Sequence, residues 1–184
     1  MTDSTIMFMK ELLRFAYDNS SKNNYVFDFR IVGENRTMRN RRVVDWSKDG
    51  IVIDNGKSGR KLSFLTLGQT WEIYCDDDNE AYSDYICKKY FNKTYTEMAD
   101  RLYSIYSTGG WMEPANVLET RKLNTGKNAY YALIEYHGRI IEACISYSTC
   151  IGFRFVGADT VFEFKRKYSV TSSKHWYLFK RGCK

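Results

Sequence analysis

Hydrophobic positions recur along this chain with two different periods, and the change of period marks out its elements. Ile6, Met9, Leu13 and Ala16 fall on one face of a helix that follows Asp3 and Ser4, possible N-caps, and that ends at the polar run Asp18-Asn19-Ser20-Ser21-Lys22-Asn23-Asn24. Tyr25, Phe27, Phe29 and Ile31 then alternate with Val26, Asp28 and Arg30, the two-residue period of a half-buried strand. Further short strands are expected at about residues 43–46, 50–54, 61–67 and 70–75, with Asp54-Asn55-Gly56 and Lys57-Ser58-Gly59 supplying turn chemistry. From Glu80 to Tyr106 the helical period returns: Tyr95, Met98, Leu102 and Ile105 form one stripe behind Thr94-Tyr95-Thr96-Glu97, which has the form of a capping box. This predicts a helix at about 95–106, preceded by another at about 80–91. Ser107-Thr108-Gly109-Gly110 has linker composition.

Beyond it, residues 129–136 and 139–146 flank His137-Gly138 as a hairpin, and Ile151, Phe153 and Phe155 alternate with Gly152 and Arg154. Gly157-Ala158-Asp159 then turns the chain into a strand at 160–167 and a second hairpin. The expected fold class is α+β, mainly antiparallel β-sheet with a few short helices, in two small modules, residues 1–108 and 109–184.

Composition fits that reading. Aromatic residues make up 16% of the 184, and proline occurs once, at Pro114, a balance that favours strands. Charge adds a second layer, because the formal +6 is unevenly spread. Residues 1–108 carry 16 basic and 16 acidic side chains, residues 109–184 carry 12 and 6, so the surplus lies in the second module. Within the first, residues 20–61 hold 10 basic and 5 acidic groups and residues 62–100 hold 3 and 8. Separate basic and acidic zones point to an anionic partner, or to a merely solvated face. The five cysteines, Cys75, Cys87, Cys144, Cys150 and Cys183, show no CxxC spacing, and the start has no signal-peptide form, which together suit a reducing cytoplasm. No apolar stretch reaches the roughly 20 residues of a membrane span.

Most chemistries lack their residues. Two histidines 38 positions apart and unpaired cysteines make a poor zinc set, and Asp76-Asp77-Asp78 with Glu80 lacks calcium-loop spacing, so neither metal nor cofactor is expected. No phosphate loop, dinucleotide fingerprint or nucleophile elbow is present. Cys144 and Cys150 sit on apolar strands, as inert buried thiols do.

Two segments remain. Arg36, Arg39, Arg41 and Arg42 place four guanidiniums in seven residues beside aromatic strands; such forks match phosphate oxygens, though an exposed loop of solvated charges has the same composition. Arg154, Lys165 and Lys167 extend the basic set in the second module. The other segment is Lys167-Tyr168-Ser169-Val170-Thr171-Ser172-Ser173-Lys174-His175, eight of whose nine residues carry a hydroxyl, a positive charge or an imidazole. Metal-independent RNA cleavage needs a base for the 2′-hydroxyl, an acid for the leaving oxygen and cations on the phosphate, and these types are all here. The competing reading is a helix cap at Thr171 or Ser172 with His175 packed beneath Trp176.

Ser146-Tyr147-Ser148-Thr149-Cys150-Ile151, followed by that run, resembles a domain of unknown function from small phage and mobile-element proteins, with paired motifs Ser-Tyr-x-Thr-x-Ile and Tyr-Ser-x-Thr-Thr-Ser-Lys-His. The resemblance covers about residues 128–180 and departs at Ser172, where a second Thr is commoner, and at Trp176, where a polar residue is usual. It implies a phage origin, and with the charge map an inhibitor of a host RNA-guided nuclease, of anti-CRISPR type, whose partner is RNA or the ribonucleoprotein. In the stronger form the chain cleaves RNA with His175, Lys174, Tyr168, Thr171 and Tyr147. The alternatives are a non-catalytic module that docks on a host protein, and a structural accessory protein of the phage particle.

Overall fold

The computed structural model describes residues 3–75, 79–111, 113–123 and 128–155. They form an α+β protein with mainly antiparallel sheets, and they divide into two compact units, one reaching Tyr85 and the other starting at Ile86.

The first unit opens with helix α1 (Asp3–Asp18), which buries Thr5, Phe8, Met9, Leu12, Leu13 and Ala16. The predicted face is there, widened by Phe8 and Leu12, while Ile6 is only half-buried. Strands β1 (Phe27–Ile31), β2 (Thr37–Arg41), β3 (Val43–Trp46), β4 (Gly50–Ile53), β5 (Arg60–Ser63) and β6 (Trp71–Tyr74) follow and make two three-stranded antiparallel sheets, ordered β2-β1-β6 and β3-β4-β5. The strand expected at 61–67 stops at Ser63. There the Ser63 hydroxyl accepts the Leu65 N–H and caps a short 3-10 turn, Phe64–Thr66.

The core of this unit is aromatic. Phe27, Phe29 and Trp71 are buried in consecutive contact, and Phe8 and Phe15 of α1 meet Tyr85 at 5.3 and 5.6 Å between ring centres. Each such side chain contributes about 1.5–3 kcal/mol relative to exposure. The phenols find acceptors where they reach the rim: Tyr85 donates to Glu11 Oε2 at 2.5 Å and Tyr25 to Asp84 Oδ2 at 2.7 Å.

Helix α2 (Glu80–Phe91) carries the chain from one unit to the next. Helix α3 (Tyr95–Thr108) begins with the predicted capping box: Glu97 N–H donates to Thr94 Oγ1 at 3.2 Å and Thr94 N–H to Glu97 Oε2 at 2.7 Å. These bonds from Thr94 hold the Glu97 carboxyl below its ordinary range. Ser107-Thr108-Gly109-Gly110 is the end of this helix, closed by Gly109 in the left-handed conformation at φ 70°.

Strands β7 (Ala115–Lys122), β8 (Ala129–Tyr136), β9 (Arg139–Ser146) and β10 (Thr149–Phe155) form an antiparallel meander in the order β10-β9-β8-β7. His137-Gly138 makes the expected two-residue hairpin, with φ of 49° and 73°. Helix α3 packs on one face of this sheet, where Tyr95 stacks on Phe153 at 4.3 Å and Phe91 stacks on Tyr136 and Phe155. Among the described residues no helix is long and apolar enough to cross a membrane, and no group of three or more His, Cys, Asp and Glu could hold a metal ion. Asp76-Asp77-Asp78 and the expected strand at 160–167 lie outside the described residues.

Candidate nucleic-acid interface

Most of the arginine-rich segment is a strand, β2, which holds Arg39 and Arg41 with Arg36 and Arg42 just outside its ends. β1 and β2 pair through Arg30↔Thr37 and Phe29↔Met38, and among the described residues β2 is the end strand of its sheet. Met38 alone of its side chains is buried, so the hydrophobic alternation that signals a strand is nearly absent from Thr37-Met38-Arg39-Asn40-Arg41. A bulge shifts the register so that Arg41 faces Phe27. Asn40 sits in it at φ 53°, a conformation that asparagine tolerates, and its N–H donates to Asp28 Oδ1 at 2.9 Å.

The cations around this strand have unequal partners. Arg30 pairs with Glu72 directly across β1 and β6 and lies over the Tyr74 ring. Arg60 donates to Glu34 Oε1 at 3.1 Å. Arg41 and Arg42 share the one carboxylate of Asp54 at 3.7 and 3.5 Å, longer than a hydrogen bond. Arg36 and Arg39 are exposed and have no carboxylate within 4.0 Å among the described residues. Four guanidiniums against one shared aspartate leave a local excess of positive charge along this strand.

In the second unit Arg154 is buried. Expected on a nucleic-acid surface, it is 2% exposed and donates through Nε to Glu142 Oε2 at 2.5 Å, with Glu142 wholly buried directly opposite on β9. A guanidinium so enclosed presents nothing to an external phosphate. A bulge at Ile151 makes this pair: counting back from the turn without it sets Glu142 against Phe153, and the extra residue brings Arg154 into place. Tyr131, 1% exposed on the neighbouring strand, has its phenol pKa raised, first by burial and then by Glu142 and Glu119.

Tyr147 lies in the two-residue turn between β9 and β10 and is 75% exposed. The first half of the paired motif is thus a hairpin: Ser146 and Thr149 pair across it and Cys150 is buried behind it. Burial pushes the Cys150 thiol up to about 12, and its S–H donates to the Gly152 carbonyl oxygen at 3.4 Å, which makes it an inert core thiol. Lys165, Lys167, Tyr168, Thr171, Lys174 and His175 lie outside the described residues. No protein-family model, curated protein or solved structure matches the chain.

Proposed function

We propose that this chain is a phage or mobile-element inhibitor of a host RNA-guided nuclease, of anti-CRISPR type, that works in the host cytoplasm by binding RNA or the ribonucleoprotein. The observation that carries the reading is the pair Arg36 and Arg39, exposed on and beside the bulged end strand β2 without a described carboxylate in reach. Guanidiniums in that state gain charge-assisted hydrogen bonds from phosphate oxygens and give up little internal pairing to do so. Arg41 and Arg42 add to the field because Asp54 neutralises only part of their charge.

The stronger form adds metal-independent cleavage of the bound RNA. His175 is then the general acid or base, Lys174 and Lys167 hold the phosphate, and Tyr168, Thr171 or Tyr147 orients it. A 2′-hydroxyl loses its proton to the base and attacks the adjacent phosphorus, and the 5′-oxygen leaves with a proton from the acid. Mixing the protein with a guide RNA, with and without its nuclease, tests both forms. Inhibition with intact RNA supports the binder, and shortened RNA supports the nuclease. Intact RNA together with undiminished nuclease activity at saturating protein sinks both. His175→Ala separates them, because a binder survives the change and a nuclease loses most of its rate.

A second reading, docking on a host protein without RNA, is favoured by apolar side chains held in solvent: Leu65 at 86% and Val44 at 47% exposure in the first unit and Trp111 at 76% in the second. It predicts an association indifferent to salt and to ribonuclease treatment, whereas phosphate-driven binding weakens steeply as salt rises.

A further inference from the structure

The turn between β9 and β10 is built from residues that disfavour it. Both central positions of a two-residue hairpin of this type take positive φ, which is why Asn-Gly is the usual pair. Here they are Tyr147 at 50° and Ser148 at 62°. A bulky side chain in the left-handed region crowds its own backbone, and such strain persists where the residue has work to do. The ring of Tyr147 is also held out in solvent at 75% exposure, as Trp111 is at 76%, while most other described aromatic rings of this unit are packed against one another.

The surroundings of the turn have one chemistry. Ser146, just before it, donates from Oγ to the Asn128 carbonyl at 3.1 Å, and Tyr130 donates from its hydroxyl to Asn128 Oδ1 at 3.1 Å. Tyr106 of α3 lies 6.4 Å from the Tyr130 ring, inclined at 37°, and both rings are half-buried, so each keeps an edge or face toward water. Across the strands Lys122 pairs with Tyr130, Tyr130 with Ile145 and Ile145 with Cys150, a row that contains one exposed cation and no carboxylate. The described residues at this end of the sheet therefore offer phenol rings, amide and hydroxyl groups, and the positive charge of Lys122.

We infer that this end of the C-terminal sheet takes unpaired bases of single-stranded RNA, with Tyr147 stacking on a base, Tyr130 and Tyr106 beside it, and Lys122 on a neighbouring phosphate. The inference rests on the RNA-binding reading and specifies its substrate class. Ring faces stack on any base but need the base face free, which a duplex denies. Neutral hydrogen-bonding groups match base edges, and the Lys122 ammonium suits a phosphate between two bases. The strained turn then has a reason: it sets a ring at the tip of the hairpin, where a residue in an ordinary strand position would lie on the sheet.

Fluorescence anisotropy with a short unstructured RNA and with its duplex tests this on the intact protein. Tyr147→Ala should weaken single-strand binding by about 5- to 100-fold while leaving duplex binding unchanged, and Tyr147→Trp should retain it. Replacing Tyr147-Ser148 by Asn-Gly relaxes the turn, so that variant should melt no lower than the parent and still lose the single-strand preference; this keeps loss of folding apart from loss of contact. Unchanged single-strand affinity in Tyr147→Ala, or equal losses on both RNAs, overturns the inference. If RNA binding instead depends on Arg36 and Arg39 and not on Tyr147, the inference falls and the RNA-binding reading stands. If the unaltered protein binds neither RNA, that reading falls as well.

Discussion

Two strands at the ends of their described sheets carry arginine, and they treat it in opposite ways. β2 exposes Arg39 and leaves Arg41, with Arg42 just beyond it, to share Asp54 at long distance, whereas β10 encloses Arg154 against Glu142 at 2.5 Å. Residue type is the same, and strand pairing is antiparallel in both. What differs is burial. Five of the seven β10 residues are buried and one of the five in β2 is, so in β10 a charge must be matched directly across the ladder and in β2 water does that work. Net charge is thus a poor guide to which cations are available to a ligand; the groups across the strand decide.

The largest expected effect breaks the buried pair. Glu142→Gln or Arg154→Met removes one member of this enclosed ion pair and should cost about 3–5 kcal/mol in urea unfolding. The double change Glu142→Leu with Arg154→Met should recover much of that loss, because a matched apolar pair has no stranded charge. Equal losses in single and double variants would mean that packing, not charge, dominates there.

Alkaline pH sharpens the comparison next. Cys150 and Tyr131, both in the unit of β10, have thiol and phenol pKa values raised by burial, the thiol from an ordinary 9.0 to about 12. The folded state holds these protons after the unfolded chain has begun to release them. Their stabilisation is therefore complete below pH 9.0 and declines as pH rises toward 12. Denaturant midpoints across that range should fall, and Cys150→Ala should flatten part of the fall.

Smaller changes are expected on the β2 side. Asp28→Ala removes the acceptor of the Asn40 N–H in the bulge and should cost about 0.5–1.5 kcal/mol by the same unfolding measurement. Arg36→Gln with Arg39→Gln should alter stability by no more than about 0.5 kcal/mol for each change, since neither side chain has a described partner to lose. A large loss there would place them in the same class as Arg154.

How much of this was legible beforehand follows the same division. Elements with a buried face announced themselves: the stripe Met98, Leu102 and Ile105 in α3, the alternation in β1, and the two strands around His137-Gly138. The strands absent from the sequence reading, β2 and β7, are both end strands with few buried side chains, and periodicity records burial before it records pairing. The capping box was readable because its four residues are contiguous and its bonds local. Asp54 as the partner of Arg41 and Arg42 was not, since it depends on how β3 and β4 return the chain beside them. For the candidate site, exposure of Arg36 and Arg39 agrees with their composition, while the fate of Arg154 turned on a single bulged residue.

The most direct test of the central claim is the salt dependence of affinity for an unstructured RNA, measured for the parent protein and for the Arg36→Gln, Arg39→Gln double variant. If β2 binds phosphate, the parent affinity falls linearly with salt on a double-logarithmic plot, and the variant binds more weakly with a slope shallower by about 1.4, roughly 0.7 for each phosphate contact removed. Identical affinity and slope in the two proteins would contradict the account.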